Sequence, residues 1–419
     1  MATRTLSPLT GNVAKVAYDL RRKRAGGERL QTITGFTEKI PPEGKSWKIT
    51  TDFSEEVAHS DVVLITVPTP VKEDGSPNLD YVNSSISSVL DNIDRKSKTI
   101  VVLESTVFPG VTREVVGRLS KEKGIKIGEE VVPAYCPERV DPGPGGREIQ
   151  SVAQIVGCDD EEVGRFLASL FSRITSEKST YVGGIEVAEA AKLIENVQRD
   201  IDIALANELS IILPKIGLDV EQVLDAASTK WNFHRHKPGV GVGGHCIPVD
   251  PYYYIDLAES VGESALLAIA SRKINSRMPD LSAQQIGDIF RGNLSKRKLL
   301  FLGYSYKPGL GDIRETPVRE MTRKLRDMGG EIVIWDPLVD PEDFPDWAEI
   351  VEDPYTLENV DIVVLATAHN EVLELDWNEL MKVCNEAIVY DGRRVLDKTR
   401  LVNSGWAFFG VGLPSKRVS

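Results

Sequence analysis

Four cysteines in 419 residues, none in a CxxC pair, argue against a disulfide framework or a zinc cluster. Cys136, Cys158, Cys246 and Cys384 stand far apart, and no metal site is expected. Long apolar runs are missing too, since none reaches the roughly 18 residues of a membrane helix. The opening Met-Ala-Thr-Arg-Thr-Leu-Ser-Pro has no apolar core of a signal peptide. A reducing, cytoplasmic setting away from membranes is expected. Positive charge is short: 50 Lys and Arg face 63 Asp and Glu, a net charge of −13. That balance argues against nucleic-acid or anionic-membrane binding, and an anionic ligand would need a local basic site. What remains, 41% hydrophobic and 27% charged, fits a globular chain. Its length exceeds one typical core, so two or three domains are expected.

The apolar pattern divides the chain. Up to residue 184, short strand-like stretches such as Ser60–Thr66, Thr99–Leu103 and Glu130–Arg139 alternate with helical stretches, which implies a parallel α/β sheet. From Ile185 to Ile216 apolar residues recur at three- and four-residue steps, with no glycine or proline for about thirty positions and Gly217 as the stop. One long helix is predicted there, of the kind that links domains or forms a dimer seam. Further helices are expected at Asp219–Ser228, Ile255–Ser276 and Leu281–Phe290. A second α/β region follows, with strands at Lys298–Leu302, Glu331–Trp335, Asp361–Thr367, Ala387–Tyr390 and Trp406–Phe409. The expected fold class is α/β: two Rossmann-like parallel-sheet domains joined by a central all-helical domain with one long helix. The boundaries fall at 1–184, 185–295 and 296–419.

The densest chemistry is Pro238-Gly-Val-Gly-Val-Gly-Gly-His245-Cys246-Ile-Pro-Val-Asp250-Pro251. Gly239-x-Gly241-x-x-Gly244 matches a dinucleotide fingerprint by letters alone. That motif needs a strand before it, a helix after it and an acid about 20 positions on. Here a loop precedes it, and Pro248 and Pro251 are expected to block a helix. Cys246 is better read as a nucleophile supported by Asp250, or else as a small buried residue. Lys192 and Asn196 share a helix face at i and i+4. A solvated face would explain the spacing, but Ala188, Ala191, Ile194 and Val197 around them predict burial, and a buried lysine needs a reason. Glu104, Thr106 and Glu138 end apolar strands, where α/β proteins place site residues or ordinary turns. Tyr304–Pro317 lies between a strand and a helix, with Thr316 as N-cap and Pro317 at N1. Lys307 and Arg314 there, with Arg393 and Arg394 after a later strand, suit an anion such as a diphosphate. Asp19 ends a short run, Val13–Tyr18, either as a helix cap or as the ribose acid of a dinucleotide unit; the local sequence favours the cap.

In order and spacing, these motifs resemble the UDP-sugar 6-dehydrogenase family. The resemblance rests on Val67-Pro-Thr-Pro70, Glu104-Ser-Thr106, Pro137-Glu138, Lys192-x-x-x-Asn196, Gly243-Gly-His-Cys246-x-x-x-Asp250, Lys307-x6-Arg314 and Asp391-Gly-Arg-Arg394. It implies an NAD domain, a helical dimerisation domain giving a homodimer, and a UDP domain. It implies two NAD-dependent oxidations of a sugar C6 alcohol, with Cys246 carrying a thiohemiacetal and then a thioester. Lys192 and Asp250 would handle protons and the oxyanion, and Asn196 the reacting oxygen. Thr106 and Glu138 would position water or substrate, and Gly243 would let the sugar approach the cysteine. Lys307 and Arg393 would bind the UDP-sugar. Asp19, Arg24, Thr69, Thr106 and Arg314 would serve NAD. The resemblance thus reverses the reading of Asp19.

The family's opening strand and Gly-x-Gly-x-x-Gly turn do not precede Asp19 here. NAD binding is therefore expected to be weak or absent while UDP-sugar binding survives, and a misassigned start would give the same sequence. The Gly-His-Cys-Ile-Pro-Val-Asp-Pro stretch is similar to the N-acetylhexosamine branch. Two other readings compete: a catalytically impaired UDP-sugar binder, and a 3-hydroxyacid dehydrogenase, which needs neither Cys246 nor a second α/β region.

Overall fold

The computed structural model describes residues 13–16, 53–72, 76–140, 146 and 149–414. Asp19 and Arg24 lie outside the described residues. The chain groups into two compact units. One comprises 1–195 with 252–261, the other 196–251 with 262–419. The helical stretch expected at 185–295 is divided between them.

The first unit holds a six-stranded sheet in chain order: β1 (Val13–Val16), β2 (Val62–Ile65), β3 (Thr99–Leu103), β4 (Val131–Tyr135), β5 (Ile155–Cys158) and β6 (Thr180–Gly183). Every pair is parallel except β4 with β5, where Ala134 faces Cys158. The strands at the centre are apolar throughout because both faces are covered. Val63, Ile65, Val101 and Leu103 pack into one layer, and Val62, Ile100, Val102 and Val132 into the other.

The second unit repeats the plan with β7 (Lys298–Leu302), β8 (Glu331–Trp335), β9 (Glu349–Ile350), β10 (Ile362–Leu365), β11 (Ile388–Asp391) and β12 (Ala407–Gly410). Their order is β12-β11-β10-β7-β8-β9, all parallel. The reversal of order between β7 and β10 puts a crevice at the carboxyl ends of those strands, where open α/β sheets bind ligands.

Three helix expectations are corrected. The long helix ends at Ile212, and Leu213–Ile216 tightens into a 3-10 turn before Gly217 at φ 81°. Pro214 in that turn lacks the amide that an α-helix would use. The stretch Ile255–Ser276 is two helices, Asp250–Ser260 and Leu266–Ser276, parted around Gly262 at φ 80°. Pro251 does not block a helix; it sits in the first turn of Asp250–Ser260. The first turn tolerates proline because its amide has no partner in any case.

Candidate active site

Two segments of the first unit fix Lys192. Glu189 and Glu195, three residues to either side of it on the long helix Ile185–Ile212, are both anchored. Glu189 accepts from the Gly110 and Thr112 amides at 2.6 and 2.9 Å, at the start of helix Val111–Glu122. Glu195 pairs with Arg139 at 2.6 Å, and Arg139 also donates to the Ala153 carbonyl. These anchors seize the chain just after Thr106 and just after Glu138, the residues that follow β3 and β4. Lys192 itself is 8% exposed and makes no hydrogen bond or ion pair with a described residue. Ala188 and Val197 beside it are buried as expected, but Ile194 turns outward at 46% exposure.

At the end of β2, the Thr69 carbonyl accepts from the Tyr253 hydroxyl at 3.0 Å, and Ser105 donates to the Val67 carbonyl at 2.6 Å. Thr66 Oγ1 is buried there without a partner. An orphaned hydroxyl at the carboxyl end of a parallel strand fits a polar ligand such as a dinucleotide. Cys136, at the end of β4, is buried, and burial with the Glu104 and Glu138 charges pushes its thiol well above the usual range. It has no thiolate character to offer.

The second unit holds the cysteine loop. Cys246 is exposed, whereas Cys136 and Cys158 are buried and Cys384 is half-buried. The Cys246 carbonyl accepts from the Asp250 amide at 2.8 Å, so Cys246 stands at the N-terminal end of helix Asp250–Ser260. That end of a helix favours an anion. Asp250 is 3% exposed, and its Oδ2 accepts from Asn196 Nδ2 at 2.5 Å. Two of the glycines are required by the protein's own packing. A Cβ on Gly243 would meet the Glu315 carbonyl at 2.5 Å and Tyr306 at 2.6 Å; on Gly244, at φ 89°, it would meet the Tyr306 ring at 2.7 Å. These contacts press the cysteine loop onto the turn after β7. The Gly244 amide completes that union on the Arg314 carbonyl at 3.2 Å.

The basic residues sit at carboxyl strand ends, as the sequence predicted. Lys307 is half-buried in the turn after β7. Arg314 is exposed and grips Asp312 through Nε and a terminal nitrogen. Burial pulls the Asp312 carboxyl up, but Arg314 outweighs it and the net shift is down. Arg393, after β11, donates from Nε to the Ala366 carbonyl at 2.6 Å, and one terminal nitrogen is buried with no partner. Burial pulls its guanidinium down to about 10, with Asp391 opposing. A half-buried cation with one buried, unpartnered donor is prepared for an anion. Arg394 instead donates from one terminal nitrogen to both carboxylate oxygens of Asp219 at 2.9 Å, and from the other to the Val411 carbonyl.

Sequence reasoning missed Glu189, Glu195 and His369. The available signal for His369 was its place just after the apolar run of β10. Residues 37–175 match the UDP-glucose/GDP-mannose dehydrogenase family, NAD binding domain; 186–277 its central domain; and 300–398 its UDP binding domain. The UDP-N-acetyl-D-glucosamine 6-dehydrogenase of Pseudomonas aeruginosa is 34% identical over 358 residues, 83% of each chain. The chain belongs to the UDP-glucose/GDP-mannose dehydrogenase family. It is an oxidoreductase with NAD as cofactor. The UDP-N-acetyl-D-mannosamine dehydrogenase of Pyrococcus horikoshii is 32% identical, covering 86% of this chain and 83% of that one. A solved structure of UDP-D-ManNAc dehydrogenase from the same organism has a TM-score of 0.77 at 30% identity, covering 87% and 84%. The UDP-glucose dehydrogenase of Pyrobaculum islandicum has a TM-score of 0.77 at 28% identity, covering 87% and 82%.

Proposed function

We propose that the chain oxidises the C6 alcohol of a UDP-N-acetylhexosamine to the carboxylate in two steps through Cys246. The observation that carries this reading is an exposed thiol whose loop also delivers a buried carboxylate, Asp250, held by Asn196. The names of the relatives support the sugar class. NAD+, when bound, supplies the hydride acceptor for each oxidation, and Thr69 and Thr106 of the first unit are assigned to hold it. Asp19, Arg24 and Arg314 are assigned to it by resemblance.

In the first step the C6–OH gives up its proton and a hydride, leaving an aldehyde. The Cys246 thiolate adds to that carbon, and the oxyanion formed takes up a proton as the thiohemiacetal. Loss of a second hydride and that proton leaves a thioester. Water then adds, the C–S bond breaks, and the carboxylate leaves as the thiolate returns. Lys192 and Asp250 carry the protons and balance the oxyanion, and Asn196 holds the reacting oxygen. Glu138 and Thr106 position water or substrate. Lys307 and Arg393 bind the diphosphate. The exposed Cys246 thiol suits a reducing compartment, so we place the enzyme in the cytoplasm. We also assign a homodimer. Leu205 and Ile212 on the long helix and Leu266 and Leu267 on the helix Leu266–Ser276 are 50–72% exposed, which a second copy would cover.

NADH absorbance with UDP-N-acetylglucosamine and UDP-N-acetylmannosamine tests the reaction. Two NADH per sugar are expected. UDP-sugar binding without NADH would match the impaired reading instead. A Cys246→Ser variant that completes both oxidations would remove the thioester.

A further inference from the structure

The turn after β7 carries Lys307, and one side chain from another strand end fastens it. His369 follows β10 and is fully buried. Its Nδ1 lies 3.0 Å from the Gly309 amide nitrogen, which can only donate. Nδ1 is therefore the acceptor, and the ring proton sits on Nε2. Nε2 lies 3.0 Å from Asp336 Oδ2 and 2.9 Å from Ser305 Oγ. The Ser305 hydroxyl in turn donates to the Lys307 carbonyl at 3.3 Å. Asp336, at the end of β8, also accepts the Tyr304 and Ser305 amides at 2.7 and 3.0 Å. Thr367 donates to the Ser305 carbonyl at 2.5 Å.

The ring thus touches the turn on both sides of Lys307. One nitrogen holds Gly309 beyond it; the other holds Ser305 before it and, through Ser305, the Lys307 carbonyl itself. The order Ser–His–Asp is not a nucleophilic triad. Both Ser305 and Asp336 meet the same nitrogen, Nε2, so no acceptor is left to take the serine proton.

We propose that His369 is a positioning residue for nucleotide binding, which holds the Ser305–Gly309 turn so that Lys307 is presented to the diphosphate. The inference rests on the reading that Lys307 serves the UDP-sugar. A histidine fills the place because it is the side chain that accepts at one end and donates at the other across the width of a ring. Asparagine reaches the Nδ1 position alone, and glutamine reaches the Nε2 position alone.

The test is calorimetric titration of UDP and of NAD+ into the full chain and its variants. His369→Ala is expected to weaken UDP roughly tenfold or more, about the effect of 1.4 kcal/mol. His369→Asn and His369→Gln each keep one end of the turn and should fall between the wild type and the alanine variant. NAD+ affinity should be unchanged in all three. Lys307→Ala serves as the control for the underlying reading. If it leaves UDP binding intact, the assignment of this turn to the nucleotide fails. If it weakens UDP while the Asn and Gln variants both bind like wild type, the positioning role is overturned. Parallel loss of UDP and NAD+ affinity in the His369 variants would mark a general structural role and overturn it equally. Should the alanine variant not fold, the Asn and Gln pair decides.

Discussion

Replacing Glu189 separates the value of its charge from the value of its oxygens. The carboxylate is 0% exposed and caps helix Val111–Glu122 from a distant part of the chain. That helix has no cap of its own: its N-cap residue is Gly110, at φ 101°, with no side chain to bond back. Burial pushes the Glu189 carboxyl upward, and the Gly110 and Thr112 amides only partly offset it. The oxygens therefore satisfy two amides, while the charge is a net burden. Glu189→Ala strands one buried and one half-buried N–H donor at about 1–3 kcal/mol each, so a loss of about 2–6 kcal/mol is expected. Glu189→Gln keeps one oxygen on an amide and removes the charge, so it should cost no more than about 1–2 kcal/mol.

The pH dependence has a definite sign. With the folded value above the unfolded one, the native state holds the proton more tightly. Stability from this group is complete below the unfolded carboxylate range and declines as pH rises through the folded value. The gap between wild type and the glutamine variant should therefore narrow as pH is raised from acid towards neutral. Denaturant melts of the first unit's transition between pH 4 and 7.5 measure this, together with NAD+ titration, because the Thr106 segment leads into the capped helix. A glutamine variant as unstable as the alanine variant would refute the reasoning, as would a gap that widens with pH.

Three other outcomes follow from particular groups. Asp336 is held at about 2 against its burial by His369 and two amides. A carboxyl depressed from 3.8 in this way contributes roughly 2 kcal/mol above pH 4, lost as pH falls towards 2; the deficit of Asp336→Asn in acid melts should shrink over that window. Arg394 and Asp219 are an ion pair with side chains 7% and 12% exposed. Arg394→Ala should cost about 3–5 kcal/mol in a urea melt, and Arg394→Met with Asp219→Leu much less, because breaking a buried pair strands a charge while removing both does not. A Cβ on Gly303, at φ 87°, would meet Thr367 atoms at 2.5–2.8 Å; Gly303→Ala should lower UDP affinity several-fold, read by titration, through displacement of the turn that begins there.

Much of the fold was legible because its strands are buried on both faces. Runs such as Thr99–Leu103 and Lys298–Leu302 are apolar from their second residue on, and the structure places strands at those residues. Thr316 as cap and Pro317 at N1 also stand where the local pattern put them, with Thr316 accepting from the Val318 amide. What misled was proline. Pro251 and Pro214 have the same covalent chemistry and opposite consequences, because one occupies a first turn and the other follows 28 residues of helix. Sequence shows the proline but not where the hydrogen-bond ladder begins. The candidate site divides in the same way. Cys246 and Asp250 were candidates from residue type in a glycine-rich loop, and Lys307 and Arg393 from positive charge following apolar strands. Glu189 and His369 were not, because each acts on backbone amides at a separation of 60 residues or more.

Those long separations bear on how the residues of each unit are held. A lysine that binds an anion gains little from its own charge if the turn carrying it must be ordered on binding, since ordering residues opposes the gain. In the second unit that ordering is already met by groups that never need to touch the ligand: His369, Asp336 and Thr367 together engage the amides of Tyr304, Ser305 and Gly309 and the carbonyl of Ser305. In the first unit Glu189 and Glu195 do the same for the segments after Thr106 and Glu138. The residues that would meet substrate can then stay exposed or half-buried, as Lys307 and Cys246 are, while buried partners carry the structural load. Substitutions in the buried set should therefore raise dissociation constants without altering the stoichiometry of the reaction, and substitutions at Cys246 should do the reverse.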